Sequence, residues 1–126
     1  MSRPRRASRL LMLVAATAAL FCMPAALRAV QKSECELQLD FGVKVAMKGS
    51  WNEAAFRFEK AVQADARNAR AWNNLGVARE SQGRFDAARQ AYEKALALAP
   101  GDERIRENFD RFQSYVKSTR KDAGAP

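Results

Sequence analysis

The residues that could do chemistry in this chain are few and scattered. Its 126 residues include 14 acidic residues, two cysteines and no histidine. Histidine is the usual general base near neutral pH and the commonest metal ligand, so its absence removes the most frequent basis of catalysis. The acidic residues are dispersed rather than paired, and no glycine-rich phosphate-binding loop is present. The composition therefore predicts a protein that is not an enzyme and that uses no cofactor and no metal ion.

Residues 1–29 carry the pattern of an export signal. Four arginines between residues 3 and 9 precede an apolar run over 10–27, and small residues follow around Ala29. This order is typical of a secretory signal peptide, with cleavage after Ala29. The alternative is that residues 10–27 stay as an inner-membrane anchor, the one membrane contact that we expect. In both cases the arginines predict that the rest of the chain is exported, to a periplasmic or other extracytoplasmic location.

The charge and the thiols of the chain change once this segment is set aside. The formal charge of +8 falls to +3 because five arginines and no acidic residue precede residue 30. The remainder therefore does not predict a nucleic-acid partner. Cys35 becomes the only thiol, so no internal disulfide can form. We interpret it as an inert thiol, half-covered on the first helix, with pairing to another molecule as the alternative.

Capping residues and apolar spacing predict helices through most of the remaining chain. Ser33 with Glu36, and Ser50 with Glu53, have the capping-box pattern that satisfies backbone N–H groups at a helix start. The first helix is predicted to end at Gly49, and the third to run from Asn68 to Gly83. The fourth is predicted over Phe85 to Ala99, and the fifth over 103–117, after Asp102 as its cap. A disordered tail is predicted over 120–126.

The middle of the chain repeats itself with a period of 34 residues. A fixed period of this length indicates a helical hairpin that is copied and stacked. Glycines and alanines recur where two helices must approach closely, and aromatic residues recur where gaps between layers must be filled. The matching pairs include Gly42 with Gly76, Gly49 with Gly83, Ala54 with Ala88, Phe58 with Tyr92, and Ala61 with Ala95.

These residues resemble the tetratricopeptide repeat family, most clearly over 69–102 and also over 35–68. The second unit departs from the family pattern at Arg79, where an aromatic residue is usual, and the first departs at Gln38 and Ala66. The resemblance implies an all-α solenoid fragment of two repeats and a capping helix, within a domain over 30–119. The residues that carry it are Trp72, Leu75, Gly76, Gly83, Ala88, Tyr92, Ala95 and Pro100.

The resemblance also implies a partner surface. In similar proteins the first helix of each pair lines a concave groove that binds a peptide, and Asn74 stands where some members hold a terminal carboxylate. Leu39 and Val43 stand where the rest of that clamp would lie. Trp51 and Trp72 are interpreted as core residues. The groove positions are Glu36, Leu39, Asp40, Val43, Arg70, Asn73, Asn74, Val77, Glu80, Arg104, Glu107, Asn108 and Arg111.

Two functional interpretations follow. The first is a non-enzymatic adaptor that docks a peptide or protein segment in this groove. Arg70, Arg104 and Arg111 then form either a basic lip for an acidic peptide or an ordinary solvated helix face. The second is a self-associating structural subunit of a cell-envelope complex, such as a homodimer, because so few repeats make a thin core.

Overall fold

The structure is a computed structural model that describes residues 32–124, and all five elements within that range are helices. The all-α prediction is therefore confirmed for this range. The predicted export signal or anchor over 1–29 lies outside the described residues, as do residues 125–126. The helices are α1 Glu34–Met47, α2 Trp51–Ala64, α3 Ala69–Ser81, α4 Phe85–Leu98 and α5 Glu103–Asp122.

Polar side chains fix the start of three of these helices. At α1 the Ser33 hydroxyl accepts from the Glu36 backbone N–H at 3.2 Å, and the Glu36 carboxylate accepts from the Ser33 N–H at 3.1 Å. Asn68 caps α3 by accepting from the Ala71 N–H at 3.0 Å. The Asp102 carboxylate accepts in the same way at the start of α5. The predicted caps at these three positions are confirmed.

The second predicted capping box is wrong. The Ser50 N–H donates instead to the Val45 carbonyl at 3.0 Å, a bond that closes the turn after α1. Glu53 accepts from the Arg57 guanidinium at 2.7 Å, one turn further along α2. Gly49 makes the turn possible with a φ of 76°, which side-chain-bearing residues resist. The start of α2 therefore depends on a tight backbone turn and not on a side-chain cap.

The last helix is longer than predicted. It was expected to end at residue 117 and to give way to disorder at 120, but α5 continues through Asp122. The Ser118 and Thr119 hydroxyls donate to backbone carbonyls one turn back, at 2.8 and 2.9 Å. Arg120 and Lys121 lie in the last turn, where positive charge is favourable to the helix dipole. The polar composition of this segment had suggested disorder, although the same residues suit a helix C-terminus.

The helices form two hairpins and a closing helix. α1 pairs with α2 and α3 pairs with α4, while α2 also packs on α3 and α5 packs on both α3 and α4. Two glycines permit close approach within the hairpins. A Cβ at Gly42 would lie 2.5 Å from the Phe58 ring, and one at Gly76 would lie 2.9 Å from the Tyr92 ring. The predicted role of these glycines is confirmed.

The structure explains why Arg79 stands where the family pattern usually has an aromatic residue. Its side chain is 16% exposed and forms an ion pair with Glu59, which connects α3 of the second repeat to α2 of the first. The guanidinium also donates to Gln82 at 3.0 Å. Burial lowers the pKa of Arg79, and neighbouring Arg84 acts in the same direction. An ion pair between repeats thus replaces the usual aromatic contact.

Candidate functional site

A chain of hydrogen-bonded amides connects α3 to α5. Asn108 donates from Nδ2 to Asn73 Oδ1 at 3.0 Å, and Asn73 donates from Nδ2 to Asn74 Oδ1 at 3.3 Å. Arg111 extends the chain by donating from Nη2 to Asn108 Oδ1 at 2.9 Å. All four residues were predicted groove positions, and the structure brings them together. We call Asn73, Asn74, Asn108 and Arg111 the amide chain.

The chemistry of the amide chain suits a polypeptide backbone. The three asparagines are half-buried, so their side chains are held in place by packing as well as by their mutual bonds. A side-chain amide has two N–H donors and two acceptor lone pairs, and the bonds described above use only part of that capacity. The rest can pair with the N–H and C=O groups of a bound segment. A guanidinium at one end adds donors in a fork that fits a carboxylate.

An apolar pocket of about 240 Å³ lies directly beside the amide chain. Asn74 belongs to both, since it lines the pocket and accepts a bond from Asn73. Val43 and Val77 also line the pocket, as the predicted groove requires. Sequence reasoning missed the other lining residues. The full lining is Val43, Ala46, Met47, Trp51, Phe58, Asn74 and Val77.

Trp51 and Met47 are the most informative of the missed residues. Trp51 was interpreted as core. It does pack against the first buried cluster, which draws on α1 to α4 and consists of Cys35, Leu39, Ala54, Ala55, Phe58, Ala61, Val62, Ala71, Leu75, Ala78 and Ala91. However, Trp51 is only partly buried and also lines the pocket. Met47 is 84% exposed. Its counterpart 34 residues later is Ser81, so the apolar residue is a departure from the repeat. That departure was the available signal. Trp72 is likewise partly buried, and its Nε1–H donates to the Ala66 carbonyl at 2.9 Å.

Leu39 is the clear correction among the predicted groove residues. Its side chain is 1% exposed and belongs to the first buried cluster, so it cannot contact a partner. Helix α1 presents this position to the helices it packs against, because it carries the core stripe with Cys35 and Gly42. Leu39 therefore takes no part in a clamp for a terminal carboxylate.

The remaining predicted positions differ in how they are used. The Glu36 carboxylate is occupied by the α1 cap. Glu80 is half-buried and accepts from the Tyr92 hydroxyl at 2.8 Å. Burial raises the pKa of Tyr92 strongly, and the bond to Glu80 and its charge add to this, while Arg111 opposes it. Asp40 is half-buried, and Arg70, Arg104 and Glu107 are exposed.

Cys35 is more deeply placed than expected. The prediction was a half-covered thiol, but the side chain is 4% exposed and belongs to the first buried cluster. Burial raises the pKa of the thiol, and the charges of Asp65 and Glu36 raise it further, outweighing Asn68 and Arg70. A buried thiol with a raised pKa is a poor nucleophile. The interpretation as an inert thiol is consistent with this placement.

Within residues 32–124 no group of three or more His, Cys, Asp or Glu side chains is placed to hold a metal ion. Among the helices of the same range, none combines the length and the apolar character needed to cross a membrane.

Comparison with known proteins identifies the repeat. The family profile described as Tetratricopeptide repeat matches residues 69–102. The chain is 33% identical over 89 residues to mouse Protein O-mannosyl-transferase TMTC1, an alignment that covers 68% of this chain and 9% of the length of that relative. The chain thus spans about a tenth of that protein.

Solved structures extend the similarity to the whole fold. The C-terminal TPR-containing domain of a Plasmodium falciparum FK506-binding protein matches with a TM-score of 0.64 and 25% identity, over 70% of this chain and 58% of that one. The second TPR domain of human RPAP3, solved in complex with an HSP70 peptide, has a TM-score of 0.61 and 21% identity, over 64% of this chain and 68% of that one. Residues 69–102 therefore belong to the tetratricopeptide repeat family, and the chain shares the fold of solved TPR domains.

Proposed function

We propose that this chain is an exported, non-enzymatic adaptor that binds a segment of a partner protein along the surface of α1, α3 and α5. The observation that carries this proposal is the position of Asn74, which joins the amide chain to the apolar pocket. Backbone-pairing groups and a side-chain pocket thus lie next to one another. Peptide recognition needs both, since main-chain hydrogen bonds supply affinity and side-chain pockets supply specificity.

The pocket and the amide chain define the kind of segment that would fit. An apolar side chain enters the space between Val43, Trp51 and Val77, which is large enough for a leucine-sized or methionine-sized group. The adjoining backbone pairs with the asparagines. Arg111 at the far end favours an acidic group there, which supports the basic-lip interpretation for this arginine. A relative that was solved with an HSP70 peptide is consistent with peptide binding on this fold.

The test is capture of native partners by paired variants. Asn73→Ala with Asn108→Ala removes the central amides, and Arg70→Ala with Asn74→Ala probes the same surface from α3 alone. We expect both pairs to reduce crosslinked partners in the cell envelope, measured by quantitative mass spectrometry. Gln113→Ala is the matched control, because it removes an exposed amide from the same helix as Asn108. Equal capture by the Asn73/Asn108 variant and the control would remove the groove from the proposal.

Export is a separate part of the proposal and has its own test. The arginine-rich start and apolar run of residues 1–29 support it. We expect cell fractionation to recover the chain outside the cytoplasm, and N-terminal sequencing of the recovered protein to begin at Val30. Recovery of the intact chain in the inner membrane would support the anchor instead. Recovery in the cytoplasm would contradict export altogether.

A further inference from the structure

A second apolar surface lies on the first hairpin, on residues other than those of the amide chain and the apolar pocket. Leu37 and Phe41 on α1 are 50% and 45% exposed, and Phe56 on α2 is 46% exposed. The Arg57 guanidinium carbon lies 4.3 Å from the centroid of the Phe41 ring and 5.5 Å from that of Phe56. Arg57 therefore joins the two rings into one continuous surface. We call Leu37, Phe41, Phe56 and Arg57 the terminal face.

The second repeat shows what normally happens at this face. Leu37, Phe41 and Lys44 correspond to Ala71, Leu75 and Ala78, each 34 residues later. Those three residues are at most 7% exposed and share one buried cluster with residues of α2. The terminal face is thus the side of a hairpin that a preceding helix covers. In the first repeat Leu37 and Phe41 are larger than their counterparts and are half exposed, and Lys44 replaces Ala78. Two large exposed apolar residues beside a charged one indicate an interface and not a blunt end.

The sequence of α1 has a symmetry that favours a second copy of this chain as the partner of the terminal face. Leu37 and Phe41 each lie two residues from Leu39, and Glu34 and Lys44 each lie five residues from it. All four stand at helical spacings of three and four, so they form one stripe. If two copies of α1 pair antiparallel about Leu39, Leu37 meets Phe41 of the second copy and Glu34 meets Lys44 of the second copy. Each contact then occurs twice, as a two-fold axis requires.

The opposite end of the fold does not offer a comparable surface. The exposed positions of α5 include Arg106, Asp110, Gln113 and Lys117, which are polar or charged. A head-to-tail contact would place apolar residues against these groups, which would lose their hydration without matching partners. Tyr115 is the one large apolar residue exposed on α5 in the described part of the chain, so the same face of another copy offers a larger apolar counterpart than α5 does.

We propose that the terminal face is a two-fold homodimer interface built on antiparallel pairing of α1. This goes beyond the proposed function, because the apolar pocket and the amide chain are built from other residues. The homodimer would cover the apolar outer side of the first repeat, and would present two grooves to its partners.

Sedimentation of the full chain across a range of concentrations tests the interface. We expect a dimer that dissociates on dilution, and at least a tenfold increase in the dimer Kd for Leu37→Asp with Phe41→Asp. Tyr115→Asp is the control, since it places the same charge on a 49% exposed aromatic residue of α5. Melting curves and circular dichroism check that each variant is folded. A wild-type chain that stays monomeric overturns the proposal and leaves a different protein as the occupant. Association that persists in the double variant places the contact elsewhere and also overturns it.

Charge exchange tests the antiparallel register independently of the apolar residues. Glu34→Lys and Lys44→Glu each set like charges against one another across the two-fold axis, so each should raise the dimer Kd several-fold. The two changes together restore opposite charges at both contacts and should return the Kd to within about twofold of the wild type. Two weakened single variants without recovery in the double variant would overturn the antiparallel pairing. The Glu34–Gln38 bond at 2.8 Å lies within one copy and is lost equally in the Glu34 single variant and the double variant.

Discussion

The two repeats of this chain share a plan but differ in how they are closed. In the second repeat Tyr92 fills the space opposite Gly76, is fully buried, and bonds through its hydroxyl to Glu80. In the first repeat Phe58 fills the space opposite Gly42, has no such hydroxyl, and forms part of the wall of an open pocket. The second repeat is therefore the more completely packed half, whereas the first repeat supplies most of the pocket lining and the amide chain lies on α3 and α5.

Helix α5 is the physical cause of this difference. Its Phe112 is fully buried against Tyr92 at 5.4 Å between ring centroids, and Phe109 lies 5.9 Å from the same ring. Aromatic pairs at such distances add to the stabilisation from buried area. Within the described residues the first repeat has no helix that closes its outer side in this way.

The largest effect is expected from a substitution that disrupts the packing between the two helices of the second hairpin. Gly76→Leu should abolish the cooperative melting transition, because even a Cβ would lie 2.9 Å from the Tyr92 ring and that ring is enclosed on all sides. Overpacking of a well-packed core costs about 1–3 kcal/mol and occasionally more. Gly101→Ala is the control, since no atom lies within 4 Å of a Cβ there. A normal melting curve for Gly76→Leu would contradict the close-packing argument.

Removal of the contact between Phe112 and Tyr92 should lower the free energy of unfolding nearly as much. Phe112→Ala leaves a cavity beside Tyr92 and should lower the free energy of unfolding by about 3–5 kcal/mol, the usual range for a buried aromatic residue. Chemical denaturation measures the change. Tyr115→Ala removes an aromatic residue that is 49% exposed from the same helix and should cost far less. Equal losses for the two variants would mean that α5 does not seal the second repeat through Phe112.

A smaller effect concerns the hydroxyl that distinguishes the two repeats. Tyr92→Phe should cost about 0.5–1.5 kcal/mol near neutral pH, the net contribution of one hydrogen bond. Burial raises the pKa of Tyr92 in the folded state above the value of about 10 in the unfolded chain. The folded tyrosine keeps its proton while the unfolded one loses it, so this contribution to stability is present below about pH 10 and is lost as the pH rises further.

The alkaline slope therefore separates the wild type from this variant. Stability of the wild type should fall by up to about 1.4 kcal/mol per pH unit more steeply than that of Tyr92→Phe above pH 10. Urea denaturation at several pH values between 8 and 11 measures both slopes. The raised pKa of Cys35 contributes equally to the slopes of both proteins, so its contribution cancels when they are compared. Parallel slopes would show that the Tyr92 hydroxyl is not shielded in the folded state.

Sequence and structure agree where a local rule determines the residue. The caps at Ser33, Asn68 and Asp102 and the close approach at Gly76 follow from local rules that need no knowledge of the neighbours. Predictions fail where two elements compete for one group. At Ser50 the backbone turn captures the N–H that a capping box requires, and no local pattern reveals which bond wins.

The candidate site shows the same limit. The family position of Leu39 indicates the groove, but the rotation of α1 against its neighbours decides that the residue is buried. The amides were predicted as individual residues, whereas the bond between Asn108 and Asn73 depends on how α5 docks on α3, 35 residues away in sequence. Only the three-dimensional arrangement turns a list of polar positions into a connected site.

The substitution with the smallest expected effect on stability is also the most direct test of the comparison between the two repeats. Met47→Ser gives the first repeat the residue that the second repeat has at Ser81. Because Met47 is 84% exposed, the substitution should change the free energy of unfolding by no more than about 0.5 kcal/mol. It should nevertheless weaken capture of partners, since the apolar pocket loses part of its wall. Melting curves and crosslinking on the same samples separate the two effects. If the variant is as stable as the wild type and captures partners equally well, then the pocket is a by-product of an uncapped repeat and the open half of the molecule binds through other residues.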